Sequence, residues 1–203
     1  MSRLIAFGCS IAYGHALSDC FIPPYSAGYE PSKLAYPQLV ADNLNLECIN
    51  TSHSGSSNKD IWHKVVTFEF QPGDVILLQW TYPDRTAIFN DDNTVTSLAS
   101  WQDDELSKNY YKNFHTNTGT NVDFYMMFNH VNFMLNKKVL SVTNIKPSNK
   151  IYKNPPGWNE FSFVDLYIDT LSKEHNSIAL DDVHPGELAH EQLAKGLMKK
   201  DLI

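Results

Sequence analysis

The sequence predicts an α/β fold, a parallel sheet covered by helices on both faces. Short apolar runs alternate with helix-spaced patterns along the chain, the order that builds a parallel sheet through helical crossovers. One run, Asp74 to Gln79, holds an uninterrupted Val-Ile-Leu-Leu stretch, as a strand buried on both faces requires. Size agrees: 203 residues suit one domain over 1–203. A globule of this length buries roughly 70% of its unfolded surface and needs no disulfide or metal to fold.

Arg3 to Phe7 is a short apolar run ending at glycine, a buried strand entering a loop. Lys33 to Leu44 places Leu34, Leu39, Val40 and Leu44 at helical spacing, and Leu46 to Ile49 reads as a second strand. Ser56 and Ser57 are candidate caps for a helix running to about Phe68, with Ile61, Val65 and Phe68 on its inner face. Pro72-Gly73 then punctuates the chain before the third strand. Thr86 to Asn121 is rich in Asn, Asp and Thr and reads as a polar surface insertion, helical near Glu105 to Phe114. Phe124 to Leu135 is predicted as a helix and Lys138 to Thr143 as a strand. The pattern leaves Phe161 to Tyr167 open between strand and helix start. Gly186 to Lys199 closes the chain as an amphipathic helix with Leu188, Leu193 and Leu197 inward.

Composition excludes several classes. Sixteen basic against twenty-three acidic residues give a net charge of −7, which disfavours nucleic acid as a partner, and no polybasic run suits an anionic membrane. Cys9, Cys20 and Cys48 are an odd set without CxxC spacing, so neither a disulfide framework nor a cysteine zinc site is indicated. Leu4 to Leu17 is too interrupted for a signal peptide, and no run approaches the roughly 20 apolar residues of a membrane span. A cytoplasmic location, of a cell or of an infected host, is the expectation. Gly8-x-Ser10-x-x-x-Gly14 is neither a P-loop nor a dinucleotide fingerprint. No HExxH pair is present, and no metal or cofactor is expected.

In such a sheet the functional residues collect beyond the carboxyl ends of the strands. Three loops carry chemistry-bearing residues: Gly8-Cys9-Ser10, Asn50-Thr51-Ser52-His53-Ser54-Gly55, and Asp181-Asp182-Val183-His184-Pro185. A serine becomes a nucleophile only beside a base whose tautomer a third group fixes. His184 suits the base. Asp181, three residues earlier, suits its partner, although spacing alone leaves Asp182 an equal candidate. Gly55 would let its backbone N–H approach an oxyanion unobstructed.

These three segments resemble blocks I, II and V of the SGNH (GDSL-type) hydrolases, in order and spacing, and the resemblance spans nearly the whole chain. It implies a flavodoxin-like, three-layer α/β/α sandwich of about five parallel strands. It also implies Ser10 as nucleophile, His184 as base and Asp181 as its orienter, with the Ser10 and Gly55 amides in the oxyanion hole. The chain departs from the pattern twice. Cys9 stands where the family carries Asp. After the third strand, Gln79-Trp80-Thr81-Tyr82-Pro83-Asp84-Arg85 replaces the usual Gly-x-Asn-Asp, with Thr81 at the place of the oxyanion asparagine. The Thr81 hydroxyl and the Gln79 amide are the candidate replacement donors.

The implied activity is a serine esterase working through an acyl-enzyme on small acyl esters, with O-acetyl carbohydrate as first candidate. Trp80, Tyr82, Arg85 and Trp101 are candidate substrate-binding residues, weighed against aromatic core and an Asp84–Arg85 ion pair. The expected partner is a small-molecule or carbohydrate ester. A catalytically degenerate module binding a glycan or protein is the alternative, and acyl transfer a third. The block pattern also resembles small bacteriophage and marine microbial proteins, which adds a virion-associated setting.

Overall fold

The computed structural model describes residues 2–24, 26–92, 94–138, 140–146, 164–165 and 178–199. Five strands form one parallel sheet: β1 (Arg3–Phe7), β4 (Glu47–Asn50), β5 (Val75–Gln79), β8 (Ser141–Lys146) and β9 (Val164–Asp165), in the spatial order β4-β1-β5-β8-β9. The register sets Ala6 beside Asn50 and Phe7 beside Leu78, so the carboxyl ends of β1, β4 and β5 lie side by side. Two small antiparallel pairs lie outside this sheet: β2 (Phe21–Ile22) with β3 (Ser26–Ala27), and β6 (Arg85–Phe89) with β7 (Val95–Ala99).

Alternation along the strands builds two cores. Leu4, Ala6 and Leu77 face one side, where α2 (Tyr36–Leu44) and the last helix, α6 (Glu187–Lys199), contribute Val40, Ala41, Leu193 and Leu197. Ile5, Phe7, Ile76 and Leu78 face the other, against α3 (Asn58–Thr67) and α5 (Asn117–Lys137). This is the three-layer α/β/α arrangement that the resemblance implied.

Most elements follow their local signals. Ser57 caps α3 by accepting from the Asp60 N–H, and Phe68 meets Phe7 edge-on at 5.5 Å. Helix α2 starts at Tyr36, so Leu34 packs outside it beside Leu17 and Ala35. Its last turn ends on Asn45 in the left-handed conformation, φ +55°. Strand β8 begins three residues later than predicted, because α5 runs on to Lys137 and caps at Lys138. In α6 the buried stripe is His190, Leu193, Ala194 and Leu197, whereas Leu188 lies off it and is 40% exposed. The segment from Thr86 to Asn121 holds most of the β6–β7 hairpin, α4 (Glu105–Asn113) and the first turn of α5. Of the undecided segment Phe161 to Tyr167, Val164 and Asp165 are strand and the rest lies outside the described residues.

Candidate active site

The segment after β1 turns sharply at Gly8 into α1 (Ser10–Tyr13). A Cβ at Gly8 would stand 2.7 Å from the Ala12 Cβ, 3.1 Å from the Gln79 Cβ and 3.3 Å from the Ser52 Oγ, so only glycine lets the three segments close up here. The segment after β4 runs alongside: the Thr51 N–H donates to Ala6 O at 2.8 Å, and the His53 N–H to Gly8 O at 3.3 Å. Asn50 fastens the two, donating through Nδ2 to Ala12 O at 2.8 Å and accepting from the Ser52 N–H at 3.1 Å. Gly55 sits at φ +86° with no atom within 4 Å of where a Cβ would be. Backbone conformation, not crowding, therefore calls for glycine there.

Cys9 and Gln79 are understood together. Gln79 is wholly buried, donates from Nε2 to the Cys9 sulfur at 3.6 Å and accepts from the Tyr36 hydroxyl at 3.2 Å. Its amide is thereby a brace beneath the Ser10 turn, which corrects the expectation that it donates to an oxyanion. Ser10 itself is 5% exposed. Thr81 is buried at the end of β5, where the Asn58 side chain accepts from its N–H at 2.8 Å and donates to its carbonyl at 3.1 Å.

The loop before α6 closes on itself through a bridge between Ile178 and Pro185 and an Ala179 N–H to His184 O bond of 2.9 Å. Its Leu180 N–H reaches Ala16 O at 3.0 Å, which fixes the loop against the Ser10 segment. Within it the His184 Nδ1–H donates to Asp181 Oδ2 at 2.6 Å, while Asp181 Oδ1 accepts from the backbone N–H groups of Val183 and His184. Asp182, the competitor on spacing, occupies a left-handed turn position at φ +59°. Burial alone would raise the Asp181 carboxyl, but the His184 and Val183 hydrogen bonds outweigh it and hold the group below the usual carboxylate range. An ionised Asp181 fixes the proton on Nδ1 and leaves Nε2 as an acceptor, the state of a general base.

One residue that sequence reading passed over belongs to this site. The His15 ring stacks on His184 at 4.5 Å between centroids and 26° between planes. Its Nδ1 shares a 2.6 Å hydrogen bond with Ser54 Oγ, and its Nε2 lies 3.8 Å from Asp181 Oδ2. Burial, and then the neighbouring His184, hold His15 below the usual imidazole range. No local pattern marks it, because the contact is with a ring 169 residues away. The ligand atoms of His15, Asp181 and His184 lie within 4.8 Å of one another.

The other predicted residues divide. Trp80 is wholly buried, edge-on to Phe124 at 5.2 Å, with its Nε1–H donating to Asn144 at 3.1 Å; it is core, and the substrate-binding expectation is corrected. Arg85 lies over Trp101 at 4.9 Å and Tyr82 at 5.9 Å, and Trp101 is 58% exposed. These three stay together as one face, beside a small cavity lined partly by Asn58, Lys59 and Tyr110. Among the described residues Arg85 makes no ion pair with Asp84, whose carboxylate accepts from the Ser100 hydroxyl at 3.3 Å.

No protein-family model and no curated protein matches the sequence. Solved structures do. The acetyl xylan esterase Est2A of the rumen bacterium Butyrivibrio proteoclasticus superposes with a TM-score of 0.59 at 16% identity, over 98% of this chain and 64% of that one. The acetyl xylan esterase AlAXEase gives 0.54 at 16% identity over 98% of both chains. A putative lipolytic protein of the G-D-S-L family from Desulfitobacterium hafniense gives 0.54 at 8% identity over 100% of both. This chain therefore carries the α/β/α fold of the SGNH (GDSL-type) hydrolases.

Proposed function

We propose that the protein is a serine ester hydrolase acting through an acyl-enzyme on small acyl esters, O-acetylated carbohydrate first among them. The observation that carries this reading is the 2.6 Å Asp181–His184 pair, held by backbone contacts against the segment that bears Ser10. Ser10 Oγ attacks the ester carbonyl and passes its proton to His184 Nε2. The tetrahedral oxyanion rests on the Ser10 and Gly55 amides. His184 returns the proton to the departing alcohol oxygen, leaving Ser10 acylated. Water then gives a proton to His184 and attacks the acyl carbon; the carboxylic acid leaves as Ser10 regains its proton.

The Arg85, Tyr82 and Trp101 face is the proposed support for the sugar, since aromatic planes and a guanidinium suit hydroxyl-rich rings. Likeness in fold to two acetyl xylan esterases supports an acetyl group on a glycan as the first substrate to try. The test is hydrolysis of p-nitrophenyl acetate and acetylated xylan by wild type and Ser10→Ala. A fall of about a thousandfold or more in the variant is expected. Equal rates would contradict the reading, and glycan binding by the wild type without hydrolysis would favour the degenerate module.

A further inference from the structure

We propose that His15 is a positioning residue: its ring fixes the plane of His184 and ties that base to the Gly55 loop through Ser54. The inference rests on the hydrolase reading for its catalytic consequence, but its geometry stands apart from it.

A base imidazole held only by the Nδ1–H bond to Asp181 keeps freedom to swing about that bond. Nε2, the atom that must meet the nucleophile's proton, moves most. A stacked partner removes this freedom, because rotation drives the edge of one ring into the face of the other. His15 is suited to the task from three directions. Its backbone N–H donates to Ser10 O at 2.9 Å, so it moves with the proposed nucleophile. The next residue, Ala16, accepts from Leu180, so the same segment is bonded to the loop of the base. Its side chain, 14% exposed, bonds Ser54, the residue before Gly55, at 2.6 Å. One ring thus touches the base and the oxyanion segment and rides on the backbone of the nucleophile.

The protonation state fits. Burial, and then the neighbouring His184, disfavour the charged form of His15, which opposes a second cation stacked on the face of His184 as it takes up the serine proton. Phenylalanine would supply the face and lack the bond to Ser54. Alanine would supply neither. Ser54→Ala removes the bond and keeps the stack.

These three variants are compared with wild type in ester kinetics and in the downfield proton NMR resonance of the His184–Asp181 hydrogen bond. His15→Ala is expected to lower kcat about tenfold or more while KM stays within about threefold. It should also broaden or abolish the downfield resonance. His15→Phe should recover the resonance and part of kcat, and Ser54→Ala should fall between wild type and His15→Ala. Wild-type kcat in His15→Ala would overturn the proposal, as would a lost kcat with the resonance unchanged. A fluorophosphonate adduct on Ser54 would also overturn it, by making His15 a base. Should the wild type hydrolyse no ester, the hydrolase reading fails, while the resonance in His15→Ala still decides whether His15 positions His184.

Discussion

Asp181 gathers three hydrogen bonds, two from backbone N–H groups and one from the His184 imidazole. The backbone bonds fix the carboxylate whether or not the histidine is protonated, so its task is orientation and charge. Asp181→Asn offers a neutral amide whose N–H can compete for Nδ1 and favour the wrong tautomer. Its kcat is expected to fall about a thousandfold or more with the melting temperature little changed, measured by steady-state kinetics beside a thermal melt. Ser10, Asp181 and His184 could be named as candidates from the sequence because each sits in a short block whose spacing is itself the signal. His15 could not, because its role arises from contact with a ring 169 positions away, and no local pattern encodes that. The Cys9–Gln79 brace was hidden for the same reason: a thiol where an aspartate was expected gains meaning only with the amide that reaches it.

At the scale of elements, the strands and helices were legible where burial follows a period, and boundaries failed where one element outran its pattern. Strand β8 starts late because α5 runs on to Lys137 and Lys138 caps it, its N–H bonding the Leu135 and Asn136 carbonyls rather than a sheet neighbour. Trp80 was misread for a related reason. It follows the last residue of β5, yet its N–H still bonds Ile145 O at 2.9 Å, so the sheet continues past the end of the apolar run and carries the indole inward. Its loss should be a matter of stability. Trp80→Ala is expected to cost about 3–5 kcal/mol and lower the melting temperature by roughly 10 °C. KM at a temperature where the variant is folded should stay close to wild type. A raised KM with an unchanged melting temperature would return Trp80 to the substrate site.

For the molecule as a whole, the fold class was legible but the strand order was not, since alternation says which elements are strands and not which are neighbours. The packing of α6 on α2 shows what that order adds. His190 of α6 is 2% exposed and accepts from the Tyr36 N–H at 3.1 Å, satisfying a donor that the start of α2 leaves open. Burial, followed by the proximity of His184, pushes this imidazole down to about 4. The unfolded chain binds the proton near the ordinary value of about 6.5, so below that pH the unfolded state gains a proton that the folded state refuses. Stability should therefore fall as pH drops from about 6.5 to about 4, by about 2–3 kcal/mol at pH 4.5 for this residue. Denaturant titrations at pH 7 and pH 4.5 check it: the loss should shrink by that amount in His190→Asn, whose side-chain oxygen can still accept from Tyr36. The packing that buries His190 against α2 stands beside the loop of Asp181 and His184, which is bonded to the Ser10 segment, and the chemistry proposed for that pair is nucleophilic catalysis by Ser10. The most direct measurement is incubation of the wild-type protein with a fluorophosphonate, followed by intact-mass and peptide mass spectrometry. One adduct, located on Ser10 and absent from Ser10→Ala and His184→Ala, is the predicted result. No adduct at all, or one that forms equally well without Ser10, would contradict it.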